Sequence, residues 1–317
     1  MEHDVAVRAH ELSRRLGRGI NVGNALDAVT QGPSGGWLQE GHFDEVRAAG
    51  FDTVRLPVCW SAHAGETAPY PIEPAFFESV DWAVGSALRR NLNVVLDVHH
   101  YHELQDLPQQ HGARLMALWR QIARRYAGYP EGLYFELLNE PRGAMSAPAW
   151  NALLATALAA VRESDPHRAV IVGPAEMYST AALPRLALPA DDGLIVTVHY
   201  YEPFEFTHQG AHRIPGADEW IGAEWHADTG GDAVRRDLTA AAEWAREHGR
   251  PLFLGEFGAY EVADMASRRQ WTAFVRSTAE HLGISWCYWD FGTDFGAFDL
   301  HRHAWREPLR AALLVDH

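Results

Sequence analysis

Eight short runs of apolar, β-branched and aromatic residues punctuate the chain, at 17–23, 51–58, 93–100, 133–140, 169–173, 193–201, 251–257 and 284–291. Each is nearly continuously apolar, with no strict alternation. That is the pattern of strands buried on both faces, as in a parallel sheet. Longer stretches between them carry apolar residues at helical spacing. Phe77, Val80, Val84 and Leu88 form one stripe in 75–91, and Leu115, Leu118, Ile122 and Tyr126 form another in 113–128. Further helices are predicted over 43–50, 147–164, 232–249, 266–283 and 304–314. Gly50, Gly128, Gly249 and Gly283 supply C-terminal stops, while Ser146 and Pro148 mark an N-terminus. The weakest helix, 179–186, is broken by Pro184.

Eight strand–helix alternations predict an α/β protein, a (β/α)₈ TIM barrel in which residues 1–317 form a single catalytic domain. An open doubly wound sheet fits less well, because 17–24 lacks a glycine fingerprint opening a helix. A barrel predicts chemistry at the carboxyl ends of its strands. Polar residues collect there: Arg55 on strand 2, His99 and His100 on strand 3, and Asn139 and Glu140 on strand 4. His199, Tyr200 and Tyr201 end strand 6, Glu256 ends strand 7, and Trp289 and Asp290 end strand 8.

Two of these, Glu140 and Glu256, are carboxylates on which a hydrophobic run ends before breaking at Pro or Gly, 116 residues apart (256 − 140). A facing pair of carboxylates is what glycoside hydrolysis needs, one to protonate the leaving oxygen and one to attack or stabilise the sugar carbon. Asn139 is suited to donating to a sugar hydroxyl. Arg55 is placed to hold a carboxylate ionised, as a nucleophile requires. Glu136, four residues before Glu140, is expected to point into the barrel one layer deeper, as a structural partner of Arg55.

The histidines raise a metal site as an alternative. Against it, His99 and His100, read as strand neighbours, face opposite sides, and no HxxxH or HExxH pattern accompanies them. Hydrogen bonding to sugar hydroxyls or to the carboxylates is the preferred reading, with no metal and no cofactor. The connection 202–231 is the longest. Its Phe204, Phe206, His208, Trp220 and Trp225 suit a cleft wall, with Trp37, Trp60 and Trp289 as further stacking surfaces. Trp119, Trp244 and Trp271 lie in helical stripes and are expected in packing.

Charge narrows the substrate. The net charge of −15, from 27 basic and 42 acidic residues, argues against nucleic acid or an anionic membrane and favours a neutral or small-molecule substrate. The two cysteines, Cys59 and Cys287, are expected as buried free thiols. No signal-peptide core or membrane span is read from the amino terminus onward. The chain is expected to be a soluble monomer, cytoplasmic or stripped of a leader.

The segments GRGINVGNALDA, VRLPVCWS, VVLDVHHYHEL, FELLNEPRG, VTVHYYEPFEFTHQGA, LGEFGAY and SWCYWDFG together resemble glycoside hydrolase family 5, retaining β-glycanases of the (β/α)₈ clan. HYYEPFEFTHQGA and GEFGAY are similar to thermophilic bacterial endoglucanases of this family that also cleave mannan. The resemblance implies Glu140 as acid/base and Glu256 as nucleophile. It implies Arg55, His99, Asn139, His199, Tyr201 and Trp289 as family site residues, and Asn24, His100, His208 and Asp290 as further sugar contacts. Met177 and Arg213 stand where those relatives carry Trp, with Tyr178 or Trp220 as candidate replacements. The expected activity is endo-β-1,4-glucanase on cellulose-type or mixed-linkage glucan. The alternatives are a β-mannanase or dual enzyme, a non-catalytic sugar-binding barrel and a metal-dependent hydrolase.

Overall fold

A computed structural model describes residues 2–28 and 36–315, with side chains from residue 8 onward. Eight parallel strands close into a barrel in chain order. They are β1 (Arg18–Asn21), β2 (Thr53–Leu56), β3 (Asn93–Asp97), β4 (Leu133–Glu136), β5 (Val170–Val172), β6 (Leu194–His199), β7 (Leu252–Glu256) and β8 (Ser285–Tyr288). Every apolar run of the sequence contains one strand, each shorter than its run. The barrel closes through β1 and β8, where Gly19 lies opposite Cys287. A Cβ on Gly19 would lie 2.2 Å from the Cys287 sulfur, so only glycine allows that approach.

Ten α-helices are described: α1 (Glu2–Leu16), α2 (Glu40–Ala49), α3 (Pro74–Leu88), α4 (His102–Asp106), α5 (Pro108–Tyr126), α6 (Ala147–Arg162), α7 (Phe204–Thr207), α8 (Ala227–Glu247), α9 (Met265–His281) and α10 (Glu307–Leu314). After β5 the chain makes only a 3₁₀ turn, Thr180–Arg185, because Pro184 cannot donate to an α-helical ladder. The long 202–231 connection is partly ordered by α7, a 3₁₀ turn at Ala217–Trp220, and the start of α8.

Helix α1, absent from the sequence reading, closes the amino-terminal mouth of the barrel. Leu12 and Leu16 pack with Val95, Tyr134, Ile171, Ile195, Phe253 and Cys287 from inside the strands. Burying each leucine is worth about 1.5–3 kcal/mol. The Tyr134 hydroxyl donates to Leu12 O at 2.9 Å, and that of Ser285 to Ser13 O at 2.7 Å, so the helix is also pinned by hydrogen bonds. The main core lies between the strands and the outer helices. Above the apolar plug the barrel interior turns polar, with Asn21, Arg55, Asp97, Glu136 and Thr197 all fully buried. Both cysteines are free and buried, as expected.

Candidate active site

Arg55, the polar residue of β2, sits at the centre of this interior with its five N–H groups engaged. It donates to both carboxylate oxygens of Glu136 at 2.8 Å, to Asn21 Oδ1 at 2.9 Å, to Asn139 Oδ1 at 2.8 Å and to Glu256 Oε1 at 2.7 Å. Asp97 Oδ2 lies 2.9 Å from the same guanidinium. One cation thus faces three carboxylates, which burial without a partner would make costly. The expected Arg55–Glu136 pairing is present. Because Arg55 can only donate, Asn139 must present its oxygen inward, and its NH₂ is left for the cleft that Asn139 lines.

Glu256 ends β7 with both oxygens held, Oε1 by Arg55 and Oε2 by the Tyr201 hydroxyl at 2.8 Å. Burial pushes its carboxyl up, against the pull of His199 and Arg55. Arg55 therefore opposes protonation without bringing Glu256 below the usual carboxylate range.

Glu140 reaches the cleft differently from the expected strand geometry. β4 ends at Glu136, and Glu140 sits four residues further on in a loop, at φ +44°. That left-handed conformation is uncommon for a residue with a Cβ and is held by its surroundings. Gln105 of α4 supplies the clamp. Its amide nitrogen lies 3.3 Å from Glu140 O and 3.4 Å from Asn139 O, and its oxygen accepts from Arg142 N at 2.7 Å. The Glu140 carboxyl is pushed up to about 7 by burial, with Arg142 and Arg55 pulling the other way. Arg142 is the near cation, 3.4 Å from Oε2.

His199 joins the pair. Its Nδ1 lies 2.8 Å from Glu140 Oε1 and 3.5 Å from Glu256 Oε2. Its Nε2 is buried and meets no hydrogen-bond partner among the described residues. Burial lowers this histidine to about 4, so the ring is neutral and its one proton belongs on Nδ1, where carboxylates accept it. One ligand atom each from Glu140, His199 and Glu256 falls within 4.8 Å of the others. One oxygen of Glu140 thus lies within 4.8 Å of one of Glu256, an approach compatible with the about 5–5.5 Å between the carboxyl groups of retaining glycosidases.

A cleft of about 270 Å³ opens over this pair. Nine expected site residues line it: Asn24, His99, His100, Asn139, Glu140, Tyr201, His208, Glu256 and Trp289. Trp289 stacks on His99 with ring planes 2° apart and centroids 5.6 Å apart. His208 stacks on Phe204 at 4.0 Å and bonds Thr207 Oγ1 at 2.9 Å. Arg55 and His199 lie beneath the cleft floor and reach it through the carboxylates. Asp290, an expected sugar contact, does not line the cleft. It is fully buried and binds Thr293, whose hydroxyl accepts from Asn24 at 2.9 Å, so its place is behind Asn24.

Other expectations are corrected. Trp60 turns outward under α3, edge-on to Phe76, and Phe206 and Trp225 are core residues, so none of the three is a stacking surface. Trp37 stacks on Phe291 and donates to Asn24 O, outside the cleft lining. Trp119 and Trp271 are buried, as expected, whereas Trp244 is only half-buried. Tyr178 cannot replace a missing Trp. It is buried, donates to Leu138 O and meets His199 edge-on. Trp220 packs on Phe204, and it is Arg213 that lines the cleft. The opposite-facing argument for His99 and His100 fails too. β3 ends at Asp97, so period-two alternation no longer applies, and the rings approach to 4.7 Å. Residues missed by sequence reasoning are Asp27, Asp97, Gln105, Arg142, Tyr260, Thr293 and Phe295; all but Asp97 and Gln105 line the cleft.

Known endoglucanases share this sequence pattern and fold. Endoglucanase H of Acetivibrio thermocellus is 33% identical over 294 residues, 93% of this chain, and the chain spans 31% of that relative's length. Endoglucanase A of Ruminococcus albus is 27% identical over 333 residues, covering 94% of this chain and 90% of its own. A crystal structure of Thermotoga maritima Cel5A in complex with mannotriose superposes with a TM-score of 0.94 at 43% identity. It covers 96% of this chain and 99% of its own. The model of the cellulase family, glycosyl hydrolase family 5, matches residues 23–295, and the chain belongs to that family.

Proposed function

We propose that the chain is a retaining endo-β-1,4-glucanase acting on cellulose-type or mixed-linkage β-glucan. The observation that carries this reading is the convergence of Glu140 and Glu256 on one histidine nitrogen at the floor of an open cleft. Glu256 is the nucleophile. Arg55 and Tyr201 orient its two oxygens, and Arg55 favours the ionised form. Glu140, held near 7 by burial, is protonated often enough at neutral pH to donate to the departing glycosidic oxygen.

The bond from the anomeric carbon to Glu256 forms as the glycosidic bond breaks, and the leaving oxygen takes the Glu140 proton. Glu140, now ionised, removes a proton from water that displaces the Glu256 ester, which restores both groups. His199 donates from Nδ1 toward either carboxylate and holds them in register through the cycle. Every group in this scheme comes from one chain, which supports action as a monomer.

A second reading, a dual glucanase and mannanase, is favoured by one observation. Thermotoga maritima Cel5A, 43% identical to this chain, has been crystallised with both mannotriose and cellobiose. Hydrolysis of defined cello- and manno-oligosaccharides, followed by proton NMR, tests both readings. The first-formed product should be the β-anomer, and Glu256→Gln should abolish turnover while leaving the melting temperature near that of the parent. An α-anomer as first product, or near-parental activity in Glu256→Gln, would overturn the retaining assignment.

A further inference from the structure

We propose that Asp27, His99 and His100 form a binding site for a divalent transition-metal cation at the end of the cleft bounded by Asn24. One ligand atom from each of the three lies within 4.8 Å of the other two, and all three residues line the cleft. The site is built from beneath. Asp97 Oδ2 holds His99 Nδ1 at 2.7 Å and is itself anchored by Arg55. Nδ1 therefore carries the proton, and the Nε2 lone pair is the ring's available ligand atom. A carboxylate behind a histidine in this way is the usual support of a metal-binding imidazole.

His100 Nε2 lies 3.7 Å from Asp27 Oδ2, a separation that a cation between them would draw into coordination. Asp27 is 1% exposed, and its Oδ1 meets no hydrogen-bond partner among the described residues. A buried carboxylate oxygen without a donor is costly to leave bare, and a cation satisfies it. Two imidazoles and one carboxylate, with further positions open to the cleft, suit borderline ions such as Zn²⁺ or Co²⁺ better than Mg²⁺ or Ca²⁺, which take oxygen ligands. The second group with comparable spacing, Glu140, His199 and Glu256, suits a cation less. There Nδ1 of His199 already carries the proton shared with the carboxylates, and Nε2 is shut in beneath Gly255. A cation on Asp27, His99 and His100 would occupy the space of a sugar ring, so it would compete with glycan for the cleft.

The test is a titration of the chelator-treated full chain with Co²⁺ alone, followed by visible absorption and calorimetry. One saturable equivalent is expected, with weaker apparent affinity when cello-oligosaccharide is present. His100→Ala and the near-isosteric Asp27→Asn should each weaken binding by at least about tenfold, while the Glu140→Gln/Glu256→Gln double variant should bind as the parent does. Melting curves identify any variant that fails to fold, and the remaining one then decides. Absence of saturable binding, binding indifferent to oligosaccharide, or binding lost in the double variant and kept in His100→Ala would overturn the proposal.

Discussion

Replacing Arg55 by Met probes the polar interior most directly, because it keeps side-chain bulk while deleting one cation and five donors. It leaves Asp97, Glu136 and Glu256 facing one another, the first two fully buried and the third 5% exposed. Removing one partner of a buried ion pair costs about 3–5 kcal/mol. With an unfolding entropy near 2.1 cal/mol/K per residue, the 317-residue chain has about 0.67 kcal/mol/K, so the melting temperature should fall by about 5–8 °C. The loss should depend on pH. Burial raises Asp97 to about 7 even with Arg55 present, and without the cation it rises further. A group raised on folding stabilises fully below its unfolded value, near 3.9, and that contribution is lost as pH rises through the folded value. The deficit of Arg55→Met should therefore be small near pH 5 and large near pH 8. Activity should fall by about 100-fold or more in kcat/KM, since Glu256 loses its charged donor. Scanning calorimetry at both pH values, with initial rates on a soluble glucan, reads all three quantities. A melting temperature within 1 °C of the parent at pH 8, or kcat/KM within about threefold, would refute the role given to Arg55.

The remaining predictions concern the acid and the space around His199. Because Glu140 must be protonated in the free enzyme and is held at about 7, kcat/KM should decline as pH rises through about 7. Glu140→Gln should lose that limb yet keep a burst of product from an aryl glycoside whose leaving group needs no proton. A parental pH profile in that variant would remove Glu140 as the acid. Gly255→Ala would place a Cβ 2.8 Å from Thr197 Oγ1 and 2.9 Å from His199 Nε2. Overpacking of this kind costs about 1–3 kcal/mol, and the displaced imidazole should lower kcat by at least about tenfold, measured with substrate at saturation.

The barrel was legible because its strands are buried on both faces. A run such as 93–97 has no solvent face to blur its apolar signal, and eight such runs leave little choice of architecture. The carboxylate pair was legible for a related reason. A charged residue directly after such a run has only the strand's end to occupy, so Glu140 and Glu256 could be assigned to one rim before any contact was known. Helix α1 went unread although Ala9, Leu12 and Leu16 recur at helical spacing. Its apolar face meets the strands' interior end-on, a packing that no local pattern specifies.

Aromatic residues show where local reading stops. Trp60 and Trp289 both follow a barrel strand closely, yet Trp60 donates to Asp97 O and packs under α3 while Trp289 faces the cleft. Which side a ring takes depends on space left by neighbours distant in sequence, such as Phe76 or His99, and not on the flanking residues. The same holds for Asp290. Its residue type and place at the end of β8 both suggest a sugar contact, but its oxygens are taken up by Thr293. That internal bond sets Asn24 at the cleft edge instead, so the polar group presented there is an amide 266 positions earlier (290 − 24). Sequence could name the strand ends where sugar-binding groups belong, and only three-dimensional hydrogen bonding decides which of them meets the substrate and which holds its neighbour in place.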